Sequence, residues 1–218
     1  MMSFQVDLFW SFRSPYSYLA TPRLLEMQRA YDVAIAVRPV YPIAVRIPGF
    51  FKKVNPLWPP YLLRDCARIA EMNGIPFAWP SPDPIVQDLA TMEIAVEQPY
   101  IHRLTRLGVA ASRRGRGLEF IYEVSRLIFG GVRGWNEGEH LAQAAIRAGL
   151  DLVELDAAIA EDPAEHEAEI ESNEAAQKAA GHWGVPLMVF RGEPFFGQDR
   201  IDVLLWRMKK AGVAPRPG

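Results

Sequence analysis

Strand-like alternation of apolar residues occurs only near the two ends of this 218-residue chain, and its architecture follows from that placement. Phe4, Val6, Leu8 and Trp10 alternate with Gln5, Asp7 and Phe9, and Val33, Ile35 and Val37 alternate again. Both segments have the period of half-buried strands. Between them Ser14-Pro15 marks a helix start, with serine at the N-cap and proline at the first helical position. Tyr16, Ala20, Leu24, Met27 and Tyr31 follow on one helical face, and Pro22 is expected to kink that helix. Strand, helix, strand of this kind makes a right-handed βαβ unit with parallel strands. At the other end, Pro186 to Phe190 and Glu193 to Phe196 flank Arg191-Gly192 as a hairpin. Asp199 is expected to cap a closing helix with Ile201, Leu204, Leu205 and Met208 on its core side.

The chain between these ends has a different rhythm. Tyr41 to Pro60 is rich in proline and aromatic residues and predicts an irregular, ordered loop. From Tyr61 to about Ala180 only helices are expected. They run over Leu62–Asn73, over Pro84 to about Gly108 as one or two helices broken near Pro99, and over Leu118–Phe129. Glu139–Ala148 and Leu152–Ala160 are shorter, and Asp162-Pro163 opens a last one. Its glutamates, from Glu161 to Glu174, predict a solvated face. The expected fold class is α/β, a discontinuous domain of residues 1–45 and 182–218 interrupted by a helical insertion over residues 46–181.

Half of the residues are apolar, which excludes a disordered chain. With 24 basic against 26 acidic residues and a formal net charge of −2, there is no electrostatic footprint for nucleic acid or an anionic membrane. No apolar run approaches the roughly 20 residues of a membrane span. The first residues lack a secretion signal, so a soluble, cytoplasmic protein is expected. Cys66 is the one cysteine, which excludes an intramolecular disulfide and predicts a small buried apolar residue. There is no G-x-G-x-x-G, P-loop or G-x-S-x-G pattern, and the four histidines lack metal-ligand spacing. Arg113, Arg114 and Arg116 predict a solvated loop.

Three places have chemical potential. Ser14-Pro15-Tyr16-Ser17 has the spacing of a Cys-x-x-Cys redox motif with serine in both cysteine positions. A helix N-terminus stabilises a thiolate or other anion, and a serine hydroxyl can donate to a thiolate that a ligand brings. By spacing alone the motif reads first as an ordinary cap followed by proline. Pro186, entering a buried strand, fits either a cis bond beside a site or an ordinary trans proline on an edge strand. A cis bond would leave the Val185 backbone free for a peptide-like ligand. Gln198-Asp199, at the head of the last helix, can hold an ammonium group, although capping also accounts for Asp199.

Together, Leu8-Phe9-Trp10, Ser14-Pro15-Tyr16-Ser17-Tyr18-Leu19-Ala20, Asn73-Gly74-Ile75-Pro76-Phe77, Trp183-Gly184-Val185-Pro186 and Phe195-Phe196-Gly197-Gln198-Asp199-Arg200 carry a resemblance. The chain resembles the glutathione-dependent branch of the DsbA-like thioredoxin superfamily, and within it the 2-hydroxychromene-2-carboxylate isomerases more than the kappa-class glutathione transferases. The resemblance implies a thioredoxin-like fold with a large all-helical insertion, and glutathione as cofactor. It assigns Ser14 to the glutathione sulfur, Val185 to the cysteinyl backbone, and Gln198 and Asp199 to the γ-glutamyl end. Asn55 matches the family's loop asparagine and Arg46 falls where the isomerases carry a lysine, so both are ligand-side candidates. The implied partner is a small electrophilic substrate, aromatic or otherwise, with a homodimer as the expected assembly. Ser11, Leu187 and Arg46 depart from the pattern, and arginine does not reproduce a lysine's contacts.

Overall fold

The computed structural model describes residues 4–88, 90–91 and 93–216. The chain runs β1 (Phe4–Trp10), α1 (Pro15–Ala30), β2 (Val33–Pro39), α2 (Ile43–Arg46), α3 (Phe50–Lys53) and α4 (Trp58–Met72). Two short strands follow, β3 (Gln87–Asp88) and β4 (Glu93–Ile94), then α5 (Ile101–Arg113), α6 (Gly117–Phe129), α7 (His140–Arg147), α8 (Leu152–Glu161) and α9 (Pro163–Ala179). The chain ends with β5 (Leu187–Phe190), β6 (Glu193–Phe196), a 3₁₀ turn (Gln198–Arg200) and α10 (Ile201–Lys210). It is a thioredoxin-like α/β fold interrupted by helices.

The two ends of the chain build one sheet in the order β2-β1-β5-β6. β1 and β2 pair in parallel from Phe4↔Val33 to Trp10↔Pro39, as a βαβ crossover requires. β5 runs antiparallel to β1, Phe9 facing Leu187, and β6 folds back on β5. The hairpin closes in two residues, Arg191 and Gly192, both at positive φ (52° and 81°). That conformation matches the twist of the strands it joins. Val6, Leu8 and Trp10 enter the main core with side chains of α1, α4, α5, α6 and α10. Phe9 points the other way and packs with Val40 and Leu187. Trp10 Nε1 donates to the Ser17 carbonyl (3.2 Å) and Thr21 Oγ1 (3.1 Å), which ties the centre of the sheet to the first turns of α1.

Three sequence expectations need correction. The proline-rich stretch 41–60 is not all loop: it forms α2 and α3, and α4 begins at Trp58 with Pro59 and Pro60 in its first turn. A first turn tolerates proline because its N–H groups have no intrahelical partner. The helices expected from Pro84 reduce to α5, and the interval carries the β3–β4 pair. There, side chains have taken over the backbone's hydrogen bonds. Asp83 Oδ1 accepts from the Ile85 N–H, and the Gln98 side chain bridges Val86 N–H, Val86 C=O and Ala95 C=O. Asp199, finally, does not cap the last helix; it lies in the 3₁₀ turn, and no side chain caps α10.

Candidate functional site

Ser14 ends the loop after β1 in extended geometry (φ −99°, ψ 112°), and its Oγ accepts from the Ser17 N–H at 3.2 Å, capping α1. The same hydroxyl lies 3.5 Å from the Val185 carbonyl, 171 residues along the chain. The Val185-Pro186 bond is cis. Pro186 C=O in turn accepts from the Gly197 N–H at 2.9 Å. Two hydrogen bonds thus gather the head of α1, the cis proline and the Gly197–Asp199 turn at one end of the sheet. Gly197, at φ 102°, makes the turn that delivers Gln198 and Asp199 there.

Other sequence candidates fall differently. Arg46 is half-buried. Its Nη1 donates to Gln177 Oε1 (2.9 Å) and its Nη2 to the Trp183 carbonyl (3.0 Å), while Glu174 Oε1 stands 3.9 Å from Nε. Burial lowers the Arg46 pKa and raises that of Glu174. Asn55 is exposed and turns the chain into α4, its Oδ1 accepting from the Leu57 N–H (3.0 Å) and its C=O from the Trp58 N–H (2.9 Å). Cys66 is fully buried and burial pushes its thiol up to about 12, so it is inert. Ser17, the second serine of the motif, is also buried, and its Oγ has no partner among the described residues.

The sequence offers Phe12, Trp58 and Trp79 as the lining of an acceptor pocket near Ser14; Trp58 and Trp79 belong to a wider belt of rings around this end of the sheet, whose other members the sequence does not mark. The Arg13 guanidinium, one residue before Ser14, lies between Phe51 (5.8 Å) and Trp79 (5.3 Å) and forms a two-point pair with Asp83 (3.2 and 3.0 Å). Phe51 stacks on Trp58 and meets Phe50 edge-on; Phe50 meets Trp183, Trp183 stacks on His182, and His182 on Phe196. His182 Nδ1 accepts from the Gly184 N–H, which fixes the proton on Nε2, and burial holds the ring's pKa below its ordinary value. Trp58, Trp79 and Trp183 are exposed. Phe12, by contrast, is fully buried between Trp10 and Phe120 and belongs to the core. The belt joins side chains from five separate stretches of sequence, none with a spacing to betray it.

α9 carries a second unread signal. Its buried stripe is His166, Ile170, Asn173 and Gln177, polar at three of four positions. These side chains serve backbone: Asn173 Nδ2 donates to Pro39 C=O (3.1 Å) and Gln177 Nε2 to Gly184 C=O (2.7 Å). Glu167 and Glu174, expected in solvent, face Tyr41 instead. Among the described residues no cluster of histidine, cysteine and carboxylate side chains could hold a metal ion, and no helix is long and apolar enough to cross a membrane.

Comparisons with known proteins bear on this geometry. A family profile described as a DSBA-like thioredoxin domain matches residues 5–209. Among solved structures, the chain is similar to a 2-hydroxychromene-2-carboxylate isomerase, at 20% identity over 95% of each chain with a TM-score of 0.70. It is similar to a probable DsbA oxidoreductase from Streptomyces coelicolor, at 20% identity over 95% of this chain and 89% of that one, TM-score 0.66. It is also similar to the cytosolic disulfide reductase DsbM from Pseudomonas aeruginosa, at 15% identity over 95% and 100%, TM-score 0.60, a protein also solved with GSH. At these identities the likeness establishes the fold. A search of curated protein sequences finds no match.

Proposed function

Since the chain belongs to the DsbA-like thioredoxin domain family but carries serine at both positions of the Cys-x-x-Cys spacing, we propose that it is a glutathione-dependent isomerase of the 2-hydroxychromene-2-carboxylate isomerase type. The observation that carries this reading is Ser14 Oγ, at the N-terminus of α1 and 3.5 Å from the carbonyl that precedes a cis proline. Thiol–disulfide exchange needs sulfur where this chain has Ser14 and Ser17, and Cys66 is fully buried.

The residues present fit glutathione. The Val185 N–H donates to no acceptor among the described residues, so the Val185 peptide can pair with the cysteinyl unit. The Asp199 side chain is 58% exposed, and Gln198 precedes it in the same turn, so both are available to the γ-glutamyl end. When bound, glutathione supplies a thiolate able to add to an electrophilic carbon and leave it again. Ser14 Oγ–H, which without ligand faces the Val185 carbonyl at 3.5 Å, would turn to that sulfur, and the partial positive charge of the α1 N-terminus would lower the thiol pKa and hold the anion near neutral pH. Val185 orients the cysteinyl unit so that the sulfur meets Ser14. The ring belt offers flat faces for the electrophile, Trp79 against Arg13, which precedes Ser14, and Trp183 in the segment that leads to Val185.

Calorimetric titration of reduced glutathione into wild-type and Ser14→Ala protein tests the reading. Loss of a hydrogen bond to a charged sulfur should weaken binding by about 1.5–3 kcal/mol. Turnover of a chromene carboxylate with glutathione recovered unchanged identifies an isomerase. Stoichiometric consumption identifies a kappa-like transferase or peroxidase instead, and binding without turnover a non-catalytic module. Wild-type protein that binds no glutathione removes the function.

A further inference from the structure

Segment 182–185, leading into the cis proline, has backbone polar groups held by side chains rather than by a neighbouring strand. Arg46 Nη2 donates to Trp183 C=O (3.0 Å), Gln177 Nε2 donates to Gly184 C=O (2.7 Å), and the Gly184 N–H donates to His182 Nδ1 (2.9 Å). The two donors are cross-braced, because Gln177 Oε1 also accepts from Arg46 Nη1 at 2.9 Å. Gln177 is fully buried. At Gly184 a Cβ would collide with Phe196 Cε2, so the backbone is pressed between Phe196 and this network.

A guanidinium is a costly brace. Packing apolar groups of the same volume commonly stabilises a fold as well as a buried charged network does. Here Arg46 is desolvated, and its Nε makes no hydrogen bond among the described residues. What such a network supplies, and apolar contact does not, is direction: it fixes where two consecutive carbonyls point. The next peptide is that of Val185, whose carbonyl lies against Ser14 Oγ. We propose that Gln177 and Arg46 are positioning residues that orient the Val185 peptide for a peptide-like thiol ligand, acting through the Gly184 and Trp183 carbonyls without touching the ligand. This inference rests on the glutathione reading of the Ser14–Val185 site. It moves Arg46 from the ligand to the support behind it and adds Gln177, which no motif marks.

Two near-isosteric variants test it. Gln177→Glu keeps the volume and an acceptor for Arg46, yet when ionised turns an oxygen toward Gly184 C=O, so the measurements are made well above the ordinary carboxylate range. Arg46→Lys keeps the charge and loses the two-pronged donor. Reduced glutathione is titrated into the full-length wild type and both variants. Thermal midpoints and amide hydrogen exchange are measured on the same ligand-free samples. Gln177→Glu should bind glutathione roughly tenfold more weakly, and Arg46→Lys less severely. Exchange should quicken at the Gly184 N–H, which within residues 183–185 is the amide with an acceptor among the described residues, while the midpoint and the protection of β1 stay as in the wild type. Unchanged glutathione binding overturns the proposal whatever the exchange shows. So does a lowered midpoint with protection lost across β1, since that marks a general structural role. If the wild type itself binds no glutathione, the ligand reading fails separately and exchange decides the positioning. Faster exchange confined to the Gly184 N–H sustains it, and unchanged exchange ends it.

Discussion

Two helix heads meet at the candidate site, and they are built on opposite plans. α1 starts from an extended Ser14 whose hydroxyl satisfies the Ser17 N–H. α10 starts from a 3₁₀ turn that runs straight into it through Arg200 (φ −98°, ψ 0°), with no side-chain cap. Sequence patterns make the two look alike, a hydroxyl or carboxylate just ahead of an apolar helical face. The difference is backbone geometry. A cap needs extended φ/ψ so that its side chain can fold over the first turn, and Asp199 is already inside a turn. Its carboxylate is left exposed, paired among the described residues only with the equally exposed Arg200 at 3.4 Å, a contact of little energetic weight. A side chain freed from structural duty is available to a ligand, and that strengthens the case for Asp199 at the γ-glutamyl end. Arg23 joins the two heads, donating to Gln198 C=O (3.2 Å) and pairing with Asp202 (2.6 Å).

The largest effect that separates the heads should come from Ser14→Ala. It removes a working cap, costing about 1 kcal/mol of stability, in addition to the loss of glutathione binding. Denaturant unfolding measures the first effect and titration the second; unaltered stability would mean that the cap contributes nothing. Asp199→Ala should do the converse, weakening glutathione binding severalfold while stability stays within about 0.5 kcal/mol of wild type. A destabilisation equal to that of Ser14→Ala would erase the contrast and restore Asp199 as a cap. The smallest effect concerns pH. Tyr18, in the second turn of α1, donates to Pro76 C=O (2.6 Å), and burial pushes its pKa from 10.0 up to about 12. The unfolded chain loses that proton first, so the contribution is fully present below pH 10 and is lost as pH rises to about 12. Urea midpoints across this range should fall less steeply for Tyr18→Phe than for wild type. Parallel curves would remove Tyr18 from the account.

The architecture was legible because it depends on periodicity. Alternation in residues 4–10 and 33–37, and the proline that opens α1, are local signals that burial reinforces, and the observed strands and helix follow them closely. Legibility failed where side chains replace backbone partners. Residues 83–88 and 93–98 hold their shape through Asp83 and Gln98, and no periodic pattern reports that. It failed again on α9, where buried Gln177 and Asn173 look like surface residues because the groups they serve are backbone carbonyls outside the helix.

At the candidate site, the sequence by itself determined the chemistry on offer: two serines in place of a redox pair, a proline at a strand entrance, an amide and a carboxylate after Gly197. These are properties of residue type and short spacing, and they survive without a fold. Tertiary structure alone decided that Ser14 and Val185, 171 residues apart, stand within 3.5 Å. It alone decided that Arg46 braces a loop, and that Arg13 and seven rings border the same end of the sheet. The physical reason is that such contacts depend on how one sheet gathers both chain ends, and a local pattern holds no information about a partner more than a hundred residues away.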